Sequence, residues 1–359
     1  MNLMRIFFRA AVSSLWALLF MCLMYSTQLI ELFPRRKTIT VAAWSDILDP
    51  AVLAEFQKKT GVTINLSYFS SNEELLVKLK KTGGKGFDLI IPSDYAVKLL
   101  REQNLLKKID KSKLTFLNDL NPVLLGHDYD PSNDYSIPLF WELFGVGIDE
   151  DAFTADQMRD PWQLIFNSAL QELRPYTITM VNDPIEMVML TSVYLFGQAD
   201  QLDTEKLKLV EELLHKQKKF VKAYVDFRGD YFLATKNCAA IVSSSSYILR
   251  AQKQFPFIKF LVPGKTFVTI ENCAISIGTQ HEESVYALLN YLYQPESVVE
   301  HCEQFSFFPS TLSALPLLQG NDQQRELANM KSTDFSQLLF FKKQMDQIDL
   351  IRTWARVKS

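Results

Sequence analysis

The chain has 359 residues, of which 48% are hydrophobic and 22% are charged, and its formal net charge is −3 at pH 7. This length can form one large core or two medium ones, and we expect two lobes. The charges are scattered along the sequence, so composition gives neither the basic patch of a nucleic-acid-binding protein nor an acidic tail.

Residues 1–37 differ in character from the rest of the chain. Arg5 and Arg9 form a cationic start, and no charged residue occurs from Ala10 to Ile30. Such a segment is typical of a secretory signal peptide or a membrane anchor. The apolar stretch approaches the roughly 20 residues that a spanning helix needs, and no A-x-A-like cleavage site follows it. We therefore predict export, with residues 1–37 as a signal peptide or an N-terminal anchor in the membrane.

The stretch from Thr38 to Tyr95 alternates β-forming segments with segments of helical periodicity. Apolar β-formers occupy 38–43, 62–69 and 87–91, and two helical patterns separate them. The first helix has Asp49 and Pro50 at its start and Gly61 at its end, which is a typical pair of helix boundaries. Ser70 and Glu73 predict a capping box at the start of the second helix.

This order predicts an α/β fold with a doubly wound parallel sheet, because each helical crossover is long enough to return the chain parallel. Sheets of this kind bind ligands beyond the carboxyl ends of their strands. The residues at those ends are 44–46 after the first strand, 71–73 after the second and 92–95 after the third. The sequence therefore predicts a ligand site at this edge.

The remainder of the chain continues the alternation of strands and helices. The run 136–148 is too apolar for a surface loop, and we predict that it crosses between the lobes. Strands are predicted at 177–181, 238–243 and 257–262, and helices at 183–195, 204–221 and 282–293. A return crossing is predicted at 272–276. The serines at 243–246 lack the flanking glycines of a nucleophile elbow.

The segment 182–186 has a clear structural interpretation. Asp183 as N-cap, Pro184 at the first helical position and Glu186 two residues later form a capping box that needs no ligand. Capping motifs are common and binding carboxylates are rare. From these residues alone, capping is the favoured role.

No motif predicts metal, cofactor or catalytic chemistry. Outside residues 1–37 the cysteines are Cys238, Cys273 and Cys302, and they form no C-x-x-C pair. We expect them to be small buried hydrophobic residues. No nucleotide-binding glycine loop is present, and no Ser-His-Asp or metal-ligand spacing occurs. We therefore expect a binding protein without cofactors, not an enzyme.

Several blocks of the sequence resemble one protein family. They are Trp44-Ser-Asp, Ser71-Asn-Glu-Glu-Leu-Leu, Phe87-Asp-Leu-Ile-Ile-Pro-Ser-Asp-Tyr95 and Tyr129-Asp-Pro-Ser-Asn-Asp-Tyr-Ser-Ile-Pro-Leu-Phe-Trp141. Together they resemble the periplasmic spermidine/putrescine-binding proteins of bacterial polyamine ABC importers, over almost all of the chain after residue 37. The resemblance implies a two-lobed type II periplasmic-binding-protein fold, with each lobe a doubly wound sheet and two crossing segments as the hinge. Lobe 1 would comprise 38–148 and 272–315, and lobe 2 would comprise 149–271 and 316–359.

The resemblance also implies a set of ligand-binding residues. Carboxylates that bind amines, aromatic walls and polar contacts of the family match eight positions: Trp44, Ser45, Ser93, Tyr95, Asp183, Glu186, Glu271 and Phe307. Glu271 replaces the usual Asp. Ile47, Val242 and Thr269 stand where the family commonly has an aromatic residue. A polyamine would lose a cation–π contact at each missing aromatic.

The function implied by the resemblance is capture of a polyamine between the lobes and its delivery to a membrane permease driven by ATPase subunits. We expect a periplasmic monomer with no nucleic-acid partner, either released by cleavage of a signal peptide or tethered to the inner membrane through residues 1–37. Two alternatives remain at this point. One is a binding protein of the same fold for a different small solute, and the other is a membrane-tethered ligand sensor.

Overall fold

The computed structural model describes residues 7–8, 12–18, 20–21, 37–173, 175–200, 202–225, 228–342 and 347–358. Most of the predicted signal or anchor at 1–37 lies outside these residues. The described part of it is helical and exposed at 12–18. Within the described residues, no helix combines the length and apolar character needed to cross a membrane.

The described chain from residue 38 alternates strands and helices throughout. The strands are β1 (Thr38–Ala43), β2 (Thr63–Tyr68), β3 (Leu89–Ile90), β4 (Ser136–Asp149), β5 (Ile178–Val181), β6 (Val221–Val225), β7 (Ala240–Ser244), β8 (Ile258–Leu261), β9 (Phe267–Ile275), β10 (Phe308–Pro309) and β11 (Leu339–Phe340). The helices are α1 (Pro50–Thr60), α2 (Asn72–Thr82), α3 (Asp94–Glu102), α4 (Pro161–Phe166), α5 (Ser168–Leu173), α6 (Pro184–Phe196), α7 (Thr204–Lys218), α8 (Asp230–Ala234), α9 (Ser245–Gln252), α10 (Glu282–Leu292), α11 (Pro295–Phe305), α12 (Asp322–Ala328), α13 (Ser332–Phe335) and α14 (Gln347–Lys358). The α/β prediction is confirmed.

The first three strands form the parallel arrangement predicted from the sequence. β1 lies between β2 and β3, and both pairings are parallel. The helical crossovers α1 and α2 return the chain in the same direction each time. The third strand, Leu89–Ile90, is shorter than the predicted 87–91, although the N–H groups of Asp88 and Ile91 also donate hydrogen bonds to β1 carbonyl groups, at 2.9 and 2.8 Å.

The ends of α1 are those predicted. The Asp49 side chain accepts a hydrogen bond from the Ala51 N–H, and Gly61 adopts the left-handed conformation at φ 71°. A residue with a Cβ would be strained there, so glycine ends the helix at this point.

The capping box at α2 lies one residue later than predicted. Ser71, not Ser70, is the N-cap, and its hydroxyl accepts from the Glu74 N–H at 3.1 Å. The Glu74 carboxylate accepts from the Ser70 N–H at 2.8 Å. The sequence contains two S-x-x-E pairs one residue apart, so pattern alone could not choose between them.

β4 connects the two halves of the sheet. All 14 of its residues are buried. Its first half pairs with β9 and β10, whereas its second half lies between β7 and β8. The strand order is β2-β1-β3-β9-β4-β7-β5-β6. The apolar run predicted at 136–148 is this strand.

Other boundaries differ from the predictions by a few residues. The helix predicted at 204–221 ends at Lys218, because Val221 already begins β6, a strand that we did not predict. The return segment predicted at 272–276 is the end of β9, which begins at Phe267. Cys238, Cys273 and Cys302 are buried and form no disulfide among the described residues, as expected for small hydrophobic residues.

Apolar packing is divided between two clusters of buried side chains. The first cluster surrounds β1, β3 and the first half of β4, with Val41, Leu89 and Trp141 among its members. The second surrounds β5 and α6 and includes Met180 and Val188. Side chains of α9 and β8, such as Leu249 and Phe260, belong to the first cluster. The lobe boundaries remain a prediction.

β4 packs closely against β8 at Gly145, so a larger residue there should destabilise the protein. A Cβ at Gly145 would lie 2.6 Å from the Leu261 carbonyl oxygen and 2.7 Å from the Phe260 ring. Backbone cannot yield as a flexible side chain can, so Gly145→Ala should lower the free energy of unfolding by about 1–3 kcal/mol in denaturant titrations. Gly264→Ala is the control, because a Cβ there meets nothing within 4 Å. Equal stability of the two variants would contradict the packing described here.

Candidate functional site

A cleft lies at the edge of the sheet where β1, β3 and β5 end. It consists of two adjoining cavities of about 310 and 190 Å³. Six residues line both cavities: Trp44, Ser70, Asn72, Ser93, Glu186 and Thr269. The cleft therefore forms at the carboxyl ends of the strands, where a ligand site is expected in such folds.

All eight positions picked out in the sequence line this cleft. The first cavity is lined by Trp44, Ser45, Ser93, Glu186, Glu271 and Phe307. The second is lined by Trp44, Ser93, Tyr95, Asp183 and Glu186. Residues up to 263 positions apart in sequence, Trp44 and Phe307, thus share one cavity.

Glu271 is buried within the sheet. It lies on β9 opposite Phe140 of β4, and only 6% of its surface is exposed. Its Oε2 accepts a hydrogen bond of 2.9 Å from the Trp44 indole N–H. Burial, Glu142 and Asp94 raise the pKa of Glu271 well above its ordinary value, and the Trp44 bond opposes this rise.

Asp183 and Glu186 combine the capping role with a place in the cleft. The Asp183 carboxylate accepts hydrogen bonds from the N–H groups of Ile185 and Glu186 at 2.8 and 2.9 Å, as expected for an N-cap. Glu186 lines both cavities. Burial raises the pKa of Glu186 well above its ordinary value, with further contributions from Asp183, Glu142 and Glu73. Asp183 therefore caps α6 and, like Glu186, also lines the cleft.

The starts of α2 and α3 supply polar groups to the wall of the second cavity. The Asn72 amide donates a hydrogen bond of 2.7 Å to the Ser93 hydroxyl. The other amide atom, Asn72 Oδ1, is buried without a hydrogen-bond partner. Asp94 is 2% exposed, and burial raises its pKa to about 7. These positions follow β2 and β3, as the sequence predicted.

Glu142 is a cleft residue that the sequence reasoning missed. It lies on β4, is 9% exposed and lines the first cavity. Burial raises its pKa, whereas the Ser246 and Ser244 hydroxyls and the charge of Arg250 oppose the rise. The signal was present in the sequence, since Glu142 is the one charged residue in the apolar run 136–148. A charge in a buried strand requires a partner or a function.

Two arginines also line the first cavity, and each is paired with an acid. Arg250 Nη2 lies 3.2 Å from Asp46 Oδ2, and Arg228 Nε lies 3.3 Å from Asp230 Oδ1. The charged neighbours that perturb Glu186 and Glu271 are all carboxylates. Acidic side chains therefore outnumber basic ones in the lining of the first cavity.

The first cavity has more aromatic residues in its lining than the sequence predicted. Phe307 stacks on Phe140 with ring centroids 5.5 Å apart, and Trp44 packs against Phe69 at 4.6 Å. The non-aromatic side chains Ile47, Val242 and Thr269 line the first cavity. The same cavity is lined by five aromatic residues that the sequence reasoning did not select: Tyr68, Phe69, Phe144, Tyr247 and Phe305.

The serine run also belongs to the cleft. Ser243, Ser244 and Ser246 line the first cavity. The missing flanking glycines argued only against a nucleophile elbow and did not predict where these serines lie. They reach the cleft because β7 ends at the same edge of the sheet as β1 and β5. Within the described residues, no group of three or more His, Cys, Asp and Glu side chains has the arrangement of a metal site.

The family known as bacterial extracellular solute-binding protein matches residues 51–328 of this sequence. The chain belongs to this family. It is 27% identical over 297 residues to the spermidine/putrescine-binding periplasmic protein of Salmonella typhimurium, covering 80% of both chains. It is 28% identical over 296 residues to the putrescine-binding periplasmic protein SpuD of Pseudomonas aeruginosa, covering 79% of this chain and 80% of that protein. The resemblance inferred from the sequence is confirmed.

Comparison with solved structures confirms the fold. The chain superposes on the spermidine/putrescine ABC transporter substrate-binding protein PotD from Streptococcus pneumoniae with a TM-score of 0.74 and 23% identity. The superposition covers 90% of this chain and 100% of that one. This solute-binding protein therefore has the type II periplasmic-binding-protein fold.

The buried acids predict a specific pH dependence of stability. Because the pKa of Glu271 is raised in the folded state, the folded protein retains a proton that the unfolded chain releases as pH rises through the ordinary glutamate range. The contribution of Glu271 to the free energy of unfolding is therefore fully present at low pH, and it is lost as the pH rises towards the raised pKa. In Glu271→Gln, which can still accept from Trp44, the ligand-free protein should be more stable than wild type at about pH 7 and no more stable near pH 4.

Urea titrations at a series of pH values provide the measurement. Glu300→Gln is the control, because Glu300 is exposed on α11, and its effect should be small at every pH. A Glu271→Gln variant that is less stable than wild type at neutral pH would contradict the electrostatic account.

Proposed function

We propose that this protein is the substrate-binding component of an ABC importer and that its ligand is a polyamine of the spermidine/putrescine class. The ligand binds in the cleft, with ammonium groups on Asp183, Glu186 and Glu271. Its methylene stem packs against Trp44, Tyr95 and Phe307. Ser45 and Ser93 contribute polar contacts at the same edge.

The excess of buried carboxylate over cation supports this proposal most strongly. Glu186 and Glu271 have raised pKa values and no cationic neighbour among the charges that perturb them. Buried charges are stable only when they are paired or neutralised by protons. An ammonium group provides three donors and a positive charge, so it satisfies a carboxylate better than any neutral ligand.

The aromatic side chains suit the rest of such a ligand. Trp44 and Phe307 line the first cavity and Tyr95 lines the second. Aromatic faces bury methylene groups and also attract neighbouring ammonium groups, each contact contributing roughly 0.5–2 kcal/mol. The named relatives, which bind spermidine or putrescine by their names, favour the same class of ligand.

Binding is proposed to couple to closure of the two lobes, 38–148 with 272–315 and 149–271 with 316–359. Acids face one another across the cleft, so closure without a cation brings like charges together. A polyamine reverses this repulsion and shifts the population towards the closed state. β4 and β9 are the two crossing segments, and they form the hinge.

The proposed setting is the periplasm, where the protein acts as a monomer and transfers its ligand to a permease with separate ATPase subunits. Residues 1–37 are the signal peptide or the anchor in the inner membrane. We propose no enzymatic activity, cofactor or nucleic-acid partner, since solute-binding proteins of this family bind and release their ligands unchanged.

One observation favours a second candidate ligand. Arg228 and Arg250 line the first cavity, and either could contact a carboxylate if its ion pair opened. A basic amino acid would offer an ammonium group to the glutamates and a carboxylate to an arginine. The importer role would be unchanged. A membrane-tethered sensor with the same cleft would differ in its partner, not in its ligand.

Calorimetry of the purified full chain tests the ligand class. Putrescine, spermidine and spermine should bind with measurable heat, and lysine and arginine should not. Glu186→Gln should weaken polyamine binding by about 1.5–3 kcal/mol, because it removes one charge-assisted hydrogen bond. Glu300→Gln, an exposed change of the same kind on α11, should bind as wild type does. Binding of arginine but of no polyamine, in protein shown to be folded, would favour the second candidate.

A further inference from the structure

Glu142 occupies a fixed place on the floor of the cleft. On the antiparallel β4–β9 ladder, Glu142 lies opposite Thr269, and Phe140 lies opposite Glu271. Residues two apart on a strand share a face, so Glu142 and Glu271 are diagonal neighbours on the same face. Such neighbours are roughly 7–8 Å apart. The ladder therefore presents two carboxylates side by side to the first cavity.

One oxygen of Glu142 has no partner. Oε2 is buried and has no hydrogen bond, although the side chain is 9% exposed overall. Hydrogen bonding by Ser244 and Ser246 contributes to the pKa of the carboxyl group without providing a partner for Oε2. A buried carboxylate oxygen without a donor costs free energy. A donor from a ligand in the cavity would remove that cost.

Glu142 lines the first cavity together with Glu186 and Glu271. It raises the pKa of Glu186 and also that of Glu271, whereas neither of these two acids is among the charges that perturb the other. Arg250 and Tyr247 are the other titratable groups on α9 that interact with Glu142. Glu142 is thus the one carboxylate of these three that interacts with both of the others.

We propose that Glu142 is a specificity-determining residue that binds an internal secondary ammonium, so that the cleft favours linear triamines over diamines. This inference rests on the proposed function and refines its substrate class. The terminal ammonium groups bind at Glu186 with Asp183 and at Glu271, and the internal nitrogen donates to Glu142 Oε2. A diamine can satisfy the outer acids but leaves Glu142 buried without a donor.

A purely structural role is the competing explanation. Glu142 could be a protonated group that stabilises the junction of β4 with α9 through Ser244 and Ser246. That role would involve no selectivity between ligands, because the internal nitrogen would not contact the carboxyl group. Ligand chemistry therefore separates the two explanations.

The test compares two ligands of equal length on the full chain by calorimetry. Spermidine has eight chain atoms between its terminal nitrogens, one of them a nitrogen, and the unbranched eight-carbon diamine replaces that nitrogen with a methylene group. Wild type should bind spermidine roughly 10- to 100-fold more tightly than the diamine, as expected for one charge-assisted hydrogen bond. In Glu142→Gln the difference should fall below about threefold, mainly through weaker binding of spermidine.

Glu186→Gln is the matched control, since it should weaken both ligands by similar factors and preserve their ratio. Equal affinities of the two ligands for wild type would overturn the proposal even if Glu142→Gln did not fold. A Glu142→Gln variant that retained the wild-type ratio would also overturn it. Failure of wild type to bind any polyamine is a different result, which would refute the proposed function itself.

Discussion

The antiparallel ladder between β4 and β9 is the constraint on which the rest of the structure depends. Every residue of β4 is buried, so its backbone groups must be paired on both sides, and β9, β10, β7 and β8 supply those pairs. The register of this ladder places Glu142 and Glu271 on one face, beside Phe140 and Thr269. A shift of one residue would turn all of these side chains away from the cleft. The register of this ladder therefore decides which side chains form the acidic floor.

Rigid placement of like charges has an energetic consequence for the ligand-free protein. The carboxyl groups of Glu142, Glu186 and Glu271 are desolvated, and Glu142 interacts unfavourably with both of the others. Burial raises the pKa values of all three, and neighbouring carboxylates raise those of Glu186 and Glu271 further, so protons can neutralise these groups in the absence of ligand. A cationic ligand replaces those protons and removes the repulsion. Destabilisation of the ligand-free cleft and affinity for a cation thus have the same physical origin, as at many functional sites.

Aromatic side chains that the sequence reasoning did not select form part of the wall of the first cavity. Phe144, Tyr247 and Phe305 line it from β4, α9 and α11. The non-aromatic side chains Ile47, Val242 and Thr269 line the same cavity. The two arginines at the wall are each paired with an acid, so they reduce the net charge of the cleft little.

The sequence by itself determined the α/β alternation, most helix boundaries and the edge of the sheet at which the cleft lies. It could do so because caps such as Asp49 and Asp183 act locally, and because parallel strands end at one edge of their sheet. The eight lining positions follow from the family resemblance, since the residues alone favoured a capping role for Asp183 and Glu186. The register of β4 against β9 could be decided only by the tertiary structure, since nothing local to Glu142 tells which residue lies opposite it. The same reason explains why Ser244, Tyr247 and Arg250 were missed as cleft residues. Their proximity to Trp44 and Glu271 follows from strand order in the folded sheet, and that order depends on long-range pairing that no local pattern encodes.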